Sequence, residues 1–530
     1  MNKRSLFPAL AVTTLLYGCD LSPDFDIPAI QTPDAYKSDE EVAPEVWQDA
    51  MPYSQVDRGE WWKIFGDEIL NNLQKQAADN SPSLEIAHAR ATQARAAAGT
   101  RLAEMMPSID GTFSPRREKF SSGSPNLPPG LTTKPQTSYS ASGILTWEID
   151  LFGRLSGARK IAELNADAQE ALYASALLSL QADVAQTYYT IRMLDAQRAL
   201  LNRTLTLRDD SLRIARRLHE LGETSVIDQS QAEAEYAITK AELLSINRQR
   251  DEMENTLAVL IGEVPSSFEL PDIPMSDREP PVIPAGIPSG LLMRRPDVSA
   301  AIKQVEATNR QIGVARSAFF PRIALTAVGG FESPNFEDLF RWSNRAWLIG
   351  PGAASVVTQP IFEGGRIFHE IERFESLRTE AVAGYRQQVL VAFKEVEDSL
   401  NAIRLLAEES NQQAQASKAA RKSERLARTL YQAGDIRYAD SLDAERTSLA
   451  TQRGFVQAHG QRWLATITLI RALGGSWEQT LPSMGAPTDA PTNEPTDIGD
   501  SDAETTEHPQ DDQPADDSTD MLEPLLSPGA

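Results

Sequence analysis

Few side chains in this sequence have the types and spacing that catalysis requires. The segment HEIER at 369–373 begins like a zinc-binding helix, but Arg373 stands where the second histidine ligand is needed. The segment GPGAAS at 350–355 resembles a phosphate loop, yet Pro351 interrupts it and we expect no helix after it. No nucleophile has a plausible base beside it. We therefore expect a protein that is not an enzyme and that needs no metal or cofactor.

The single cysteine, Cys19, is the remaining reactive side chain. One thiol forms no internal disulfide, so its position is more informative than its redox chemistry. It follows the basic residues Lys3 and Arg4 and a short apolar run at 6–16, which is the order of parts in a signal peptide. The residues LYGC resemble the lipobox at which bacterial lipoproteins are cleaved and acylated. We expect a signal peptide at 1–18 and lipidation of Cys19.

The net charge argues against one class of partner. The chain carries −24 at pH 7, whereas nucleic-acid binding requires clustered lysine and arginine in excess. Thirteen acidic residues and no basic ones lie between Asp489 and Glu523, so the rest of the chain carries −11. Such a segment has too little apolar surface to offset the entropy of ordering it. We expect an acidic disordered tail at 477–530 and no nucleic-acid partner.

Proline-free stretches show where long helices are possible, because an interior proline costs a helix about 3 kcal/mol. No proline occurs over residues 136–264 or 361–481, and both stretches are rich in strong helix formers. Each stretch is interrupted once, at Gly222 and at Gly434, where a helix C-terminus favours a left-handed residue. The sequence predicts two long helical hairpins with tips at these glycines.

The two hairpins also align with each other. An offset of 212 residues superposes Gly222 on Gly434 and Asp228 on Asp440, and an offset of 214 pairs the prolines of MMPSI and FFPRI. Self-similarity at a fixed period indicates a tandem repeat. The predicted boundaries are 61–265 for the first repeat, 266–290 for the linker between the repeats and 291–476 for the second repeat.

Each repeat also contains segments with a period of two. In SYSASGILTWEIDLFG, apolar or small residues alternate with polar ones over about the length of a membrane-spanning strand. Four strands are too few to close a barrel, and an open edge in lipid leaves backbone groups unsatisfied, so a membrane barrel would be shared between chains. A soluble β-subdomain beside a coiled coil fits the pattern equally well. The predicted strands lie at about 108–119, 138–150, 322–332 and 346–359.

A lipobox, a Pro-rich linker at 19–60 and a tandem repeat of helix, strand pair and long hairpin together resemble the TolC-like outer-membrane efflux proteins. The similarity is greatest to their acylated branch, the NodT/OprM-like lipoproteins, and covers roughly residues 16–476. Each matching motif is short, but their order makes the match specific. The motifs are LSPDF at 21–25, WWKIFGDEILNNL at 61–73, WEIDLFGRL at 147–155, MRRPDV at 293–298, ARSAFFPRI at 315–323 and ALGGSW at 472–477.

This resemblance implies a mainly α fold with a transmembrane β part. In the family a homotrimer forms one twelve-stranded outer-membrane β-barrel, with four strands from each chain, and a long α-helical coiled-coil tunnel across the periplasm. Such a channel is the exit duct of a tripartite efflux pump. A periplasmic adaptor, or membrane fusion, protein connects it to an inner-membrane transporter of the resistance-nodulation-division (RND) type. The expected function is passive export of small molecules such as drugs or toxic compounds.

The resemblance also assigns roles to residues at the hairpin tips. Gly222 and Gly434 match the turns that dock the adaptor. Tyr431, Asp440 and Asp443 match the tyrosine and the two acids of the periplasmic gate, and Asp228 matches an acid on the first hairpin. The gate arginine of the family falls two residues after the second glycine, where this chain has Ile436, and Arg437 follows it. Rings of carboxylates around a narrow axis would favour cations and couple protonation to pore width.

Two questions remain open from the sequence. The alternative function is a lipid-anchored periplasmic coiled-coil adaptor or scaffold without a pore, although adaptors usually carry one hairpin and this chain has two. The second question concerns Asp20, because in enteric bacteria an aspartate after the lipidated cysteine resembles a signal for retention in the inner membrane. The sequence leaves open whether Asp20 is such an address or only the first residue of a linker.

Overall fold

The computed structural model describes residues 20–30, 59–121, 134–276, 278–283, 294–349 and 356–475. Several predicted features lie outside the described residues. They are the signal peptide at 1–18, the lipidation site Cys19, residues 31–58 of the linker, the GPGAAS segment at 350–355 and the acidic tail at 477–530.

Seven helices and five strands account for most of the described residues. A short 3₁₀ helix, Trp61–Phe65, precedes them. The helices are α1 (Glu68–Asn80), α2 (Pro82–Ala103), α3 (Arg154–Glu220), α4 (Val226–Leu260), α5 (Pro296–Ser317), α6 (Arg366–Ala433) and α7 (Tyr438–Ala472). The strands are β1 (Ser108–Glu118), β2 (Gln136–Ile149), β3 (Arg322–Ser333), β4 (Arg345–Ile349) and β5 (Val356–Thr358).

Two long antiparallel hairpins, α3–α4 and α6–α7, dominate the structure. Helix α3 has 67 residues and α6 has 68, so each is about 100 Å long. Gly222 and Gly434 have φ of 76° and 82°, and the carbonyl groups near each helix end are satisfied by backbone bonds across the turn. Among the described residues, none of the helices combines the length and apolar character that a membrane span requires.

The duplication in the sequence reappears in the positions of the elements. Helix α3 begins at Arg154 and α6 at Arg366, an offset of 212 residues. The same offset relates both ends of α4 to those of α7. Helices α2 and α5 are related by an offset of 214. Each repeat therefore runs from a short helix through strands to a long hairpin.

The strands form one antiparallel sheet in the order β1-β2-β3-β4, and β5 also pairs with β3. In the second repeat the strand predicted at 346–359 corresponds to β4 and β5, and residues 350–355 between them lie outside the described part. Gly330 allows β2 and β3 to approach closely, because a Cβ atom there would lie 2.2 Å from the carbonyl oxygen of Ala141.

The largest apolar core lies where the hairpins meet the short helices. Helix α3 packs against α1, α2, α5 and α7, so both repeats contribute to this core. Its aromatic centre contains Trp61, Phe65, Tyr189 and Trp463, and the last two rings lie 4.7 Å apart. The motif WWKIFGDEILNNL thus supplies part of the core through the 3₁₀ helix and α1.

Part of the segment predicted as a linker between the repeats packs against the first hairpin. The amide of Met275 donates to the carbonyl oxygen of Arg192 at 3.0 Å. Arg250 on α4 donates to the carboxylate of Asp195 on α3 at 2.7 Å and to the carbonyl of Leu270 at 2.8 Å. Burial raises the pKa of Asp195, and the bonds from Arg250 oppose that rise. These contacts hold the chain between the repeats along α3.

Candidate functional site

The sheet has one apolar face and one mainly polar face. The register places Phe113, Ala141 and Phe331 opposite one another, which defines a face made of odd-numbered residues. Large side chains on this face are exposed in one copy of the chain, including Ile109 and Trp347. The apolar face carries Ile109, Phe113, Tyr139, Ala141, Leu145, Trp147, Ile149, Ile323, Leu325, Ala327, Phe331 and Trp347. The other face carries Asp110, Thr112, Ser114, Ser138, Ser140, Ser142, Thr146, Glu148, Thr326 and Glu332, together with a row of three apolar residues, Ile144, Val328 and Leu348.

The sheet is open at both edges. Among the described strands, β1 pairs only with β2, and β4 and β5 pair only with β3. All eleven residues of β1 are in register with β2, so its other edge presents unpaired backbone groups along its whole length. Phe336 and Phe340 pack against one part of the apolar face, but much of it stays exposed, and together with the two free edges this indicates that the sheet is one segment of a larger wall.

The hairpin tips lie at the far end of the long helices from the sheet. The amide of Glu223 donates to the carbonyl of Leu218 at 2.9 Å, and the amide of Asp435 donates to that of Leu430 at 2.9 Å. Ser225 caps α4 by accepting the amide of Ile227 at 3.0 Å. The two tips therefore have closed turns of the same type, and a cleft of about 590 Å³ lies between α3, α6 and α7 beside them.

The structure brings some of the predicted gate residues together. Tyr431 packs against the ring of Tyr438 at a centroid distance of 5.5 Å. Burial raises the pKa of Tyr431, and the nearby carboxylate of Asp228 raises it further. Asp228 accepts a hydrogen bond of 2.6 Å from the hydroxyl of Thr224. Asp228 on the first hairpin and Tyr431 on the second are thus neighbours within one chain.

Arg437 pairs with Asp440 rather than with Asp228. Its guanidinium donates two hydrogen bonds of 3.1 and 3.3 Å to the carboxylate of Asp440, and these bonds lower the pKa of Asp440. Both side chains are exposed to solvent. Asp443 lies one turn further along α7, close enough to raise the pKa of Arg446 together with Glu235. The acids of the second tip therefore have arginine partners or neighbours in their own chain.

A buried ion-pair network joins the two hairpins above the tips. Glu235 on α4 accepts from Arg208 on α3 at 2.7 Å and from Arg446 on α7 at 2.9 Å. The side chains of Glu235 and Arg208 are each only 5% exposed, whereas Arg446 is 57% exposed. Two turns along, Arg453 on α7 pairs with Glu242 on α4 at 3.0 Å. Nothing in the periodicity of the sequence indicated these links.

Comparison with known proteins identifies the family. The family model for outer membrane efflux proteins matches residues 73–263 and 287–475, which is one match in each repeat. The chain belongs to the outer membrane efflux protein family. The match to both repeats favours the channel over the adaptor alternative, and the protein is an efflux channel of the outer membrane. The tandem-repeat, TolC-like fold predicted from the sequence is confirmed.

Relatives in this outer membrane efflux protein family resemble the chain over almost its full length. The probable efflux pump outer membrane protein TtgC of Pseudomonas putida is 31% identical over 484 residues, which cover 89% of this chain and 96% of that protein. The outer membrane protein OprJ of Pseudomonas aeruginosa is 29% identical, with 89% and 96% coverage. The crystal structure of the CmeC outer membrane channel of Campylobacter jejuni matches with a TM-score of 0.78 and 24% identity, covering 87% of this chain and 96% of that one, and shows the shared fold.

Proposed function

We propose that three copies of this chain form the exit duct of a tripartite efflux pump. The sheet carries this proposal, because an exposed apolar face and two free edges require further strands before the sheet can face lipid. Three sheets of four strand positions would close one twelve-stranded barrel with the apolar face toward lipid and the polar face toward the lumen. The hairpins would form a periplasmic tunnel that passively conducts small molecules such as drugs or toxic compounds. The chain itself would make or break no bond.

Exposed apolar side chains on α4 and α6 support association between copies. Within one chain α4 packs against α3, while α6 packs against α7 and α5. Near the tips, residues 226–245 of α4 contain four acidic residues and one lysine, whereas residues 414–433 of α6 contain five basic residues and one glutamate. Exposed apolar side chains accompany these charges, such as Ile238 on α4 and Leu426 on α6. Three of the four acids already pair with arginines of their own chain, so apolar surface rather than net charge suits α4 of one copy to α6 of the next.

The proposed gate uses the acids of the second tip. Asp440 and Asp443 from three copies would form carboxylate rings around a narrow axis, where like charges and hydration favour cations and restrict passage. Tyr431 and Asp228 would hold the two hairpin tips together within each copy. Arg437 would act through Asp440, since that is the carboxylate it contacts.

The remaining partners follow from the two ends of the channel. The turns at Gly222 and Gly434 would dock a periplasmic adaptor, which in turn would engage an RND-type transporter of the inner membrane. At the other end, acyl chains on Cys19 would anchor the protein in the outer membrane. The segment that begins at Asp20 lies against the C-terminal part of α5, and β3 begins five residues after α5 ends.

Single-channel recording tests the gate and the duct together. Wild-type protein in a planar bilayer is expected to conduct weakly, and the variant Asp440→Ala/Asp443→Ala is expected to conduct more. The matched control is Asp435→Ala, which removes an exposed acid from the same tip without altering the proposed rings. If none of the three proteins forms a channel, the duct is wrong. If Asp435→Ala conducts as well as the double variant, the duct stands and the assignment of the gate is wrong.

A second experiment tests the contact between copies. Reversing three charges of α6, with Lys418→Glu, Arg421→Glu and Arg425→Glu, is expected to weaken the trimer because it places three carboxylates beside the apolar side chains of the proposed α4–α6 contact. The trimer fraction is measured by native mass spectrometry at low salt. Reversal of Arg386, Lys394 and Arg404, which lie on α6 farther from the tip, makes the same change in net charge and serves as the control. Equal trimer fractions for both variants contradict the proposed α4–α6 contact.

A further inference from the structure

The apolar face of the sheet carries charge only toward one end. This face consists of the odd-numbered residues of the described strands, and the two charged residues among them are Arg117 and Arg345. Arg117 is the last residue but one of β1, and Arg345 is the first residue of β4. The end of the sheet that joins the helices has apolar side chains on this face, such as Trp147 and Ile323. Both arginines therefore lie toward the end of the sheet that is farther from the helices.

The loop between β3 and β4 holds Arg345 beside an aromatic ring. Its guanidinium carbon lies 4.8 Å from the centre of the Trp342 ring, and its Nη1 donates to the carbonyl oxygen of Trp342 at 2.8 Å. Trp342 is 73% exposed, and Trp347, which is on β4 with Arg345, is 72% exposed. Tryptophan rings on a membrane barrel concentrate where the acyl chains meet the headgroups. These rings therefore place Arg345 at the level of the headgroups.

Neither arginine has an acidic partner in the part of the chain that the structure describes. The neighbouring Arg116, on the other face, pairs with Glu118 at 2.7 Å, whereas no described carboxylate forms an ion pair with Arg117 or Arg345. Both side chains are exposed. A guanidinium group that leaves bulk water at a membrane surface needs an anion, and a phosphate group can accept two parallel hydrogen bonds from it. The chemistry of this end of the apolar face therefore suits phosphate.

Closure of the proposed barrel brings the two arginines of neighbouring copies together. Within one chain β1 and β4 are three strand positions apart, which is about 14 Å across the sheet. They are the two edges of the sheet, so β1 of one copy would adjoin β4 of the next at a strand spacing of about 4.8 Å. Each junction between copies then has an arginine at the outer end of both strands, on the face toward lipid.

We propose that each junction binds a phosphate group of a lipid in the outer leaflet of the outer membrane, through Arg117 of one copy and Arg345 of the next. This inference rests on the proposed trimeric barrel. Because the hairpins would extend into the periplasm, the far end of the sheet meets the outer leaflet, which contains phosphorylated glycolipid. Trp342 and Trp347 contact the lipid below its phosphate. The bound lipid bridges two copies and fixes the depth of the barrel in the bilayer.

Native mass spectrometry of the full chain in detergent tests the proposal, because one spectrum reports both the number of copies and the bound lipid. The probe is lipid A with its phosphates intact. Arg117→Gln/Arg345→Gln is expected to weaken binding about 30-fold, which corresponds to about 2 kcal/mol for two arginines beside an anionic membrane surface. The matched control Arg116→Gln/Arg341→Gln removes two charges that already pair with carboxylates, and it should bind like wild type. Equal binding by all three trimers overturns the proposal.

Two further probes identify the source of the phosphate. Lipid A from which a phosphatase has removed the phosphates is expected to bind wild type as weakly as intact lipid A binds the glutamine variant. Equal binding of both lipids to wild type overturns the proposal even if the glutamine variant does not assemble. Excess inorganic phosphate should leave the lipid bound, and displacement would overturn the lipid as the ligand. A wild-type chain that forms no trimer contradicts the proposed function, whereas a trimer that ignores the phosphates contradicts this inference alone.

Discussion

Glu235 connects the two hairpins, and replacing it tests how strongly a buried charge pair holds them together. Glu235→Gln keeps the size of the side chain but removes its charge, which leaves the buried Arg208 without its ion-pair partner. Both side chains are 5% exposed, and breaking a buried ion pair by removing one partner costs about 3–5 kcal/mol. We expect the free energy of unfolding to fall by that amount per chain.

The exposed arm of the same network gives a matched comparison. Arg446 contacts the same carboxylate but is 57% exposed, so water replaces much of the lost interaction and Arg446→Gln is expected to cost about 0–1 kcal/mol. The variant Glu235→Gln/Arg208→Met removes both buried charges and is expected to be more stable than Glu235→Gln alone. Glu235→Gln and Arg446→Gln are therefore expected to lower the free energy of unfolding by different amounts, although both remove an interaction of Glu235.

Urea unfolding of the detergent-solubilised protein, followed by far-ultraviolet circular dichroism, measures these differences. The double-mutant cycle over Glu235 and Arg208 isolates their interaction from other effects of each change. Equal losses below about 1 kcal/mol for Glu235→Gln and Arg446→Gln would refute the reasoning, because a surface pair behaves in that way. A double variant that is less stable than Glu235→Gln would refute it as well.

Three other changes have defined outcomes. Gly434→Ala places a side chain at φ 82° and is expected to destabilise the second tip by about 1–2 kcal/mol in the same urea assay. An unchanged stability would contradict the left-handed turn. Gly330→Val is expected to prevent pairing of β2 with β3 and to abolish outer-membrane insertion, whereas Gly329→Ala has open space and should insert normally, both measured by membrane fractionation. Because Arg437 lowers the pKa of Asp440, the stabilisation from that carboxylate is present above its unfolded pKa and is lost only as pH falls through the lowered folded value. Arg437→Gln should therefore move the acid transition in single-channel conductance to higher pH, and an unchanged transition contradicts the pairing.

The sequence predicted the elements that depend on local patterns. Gly222 and Gly434 interrupt long proline-free stretches, and the structure closes both helix ends with left-handed glycines there. The period of two predicted strands whose register separates an apolar from a polar face. The tandem offset of 212 residues is kept to within one residue at the helix boundaries. These features are readable because each arises from neighbouring residues or from comparison of one repeat with the other.

The contacts that sequence reasoning missed join residues far apart in the chain. Asp20 and Arg310 are separated by 290 positions, and Glu235 and Arg446 by 211. No helical or strand period relates such residues, and a charged side chain in a long helix gives no sign of whether its partner is water or another helix. Gly313 shows the same limit, since a glycine inside a helix offers no indication of Ser22, which packs on it.

The partner of Arg437 could not be predicted from the family pattern alone. Arg437 is shifted by one position from the arginine of the family pattern, and in the structure it bonds to Asp440, three residues later on α7. Arg437 is the N-cap residue of α7 and has an extended backbone, where side chains one position apart point to opposite sides, which is enough to change the partner. Asp228 of the first tip nonetheless lies close enough to Tyr431 of the second for its carboxylate to raise the pKa of the tyrosine.

The stoichiometry of the conducting species tests the central claim most directly. Native mass spectrometry of the full chain extracted from outer membranes, combined with bilayer recording of the same sample, measures it. The open edges of β1 and β4 predict that the channel activity belongs to a complex of three copies. A monomer or dimer that conducts as a stable channel would contradict the account, because four or eight strand positions would then suffice to close the wall.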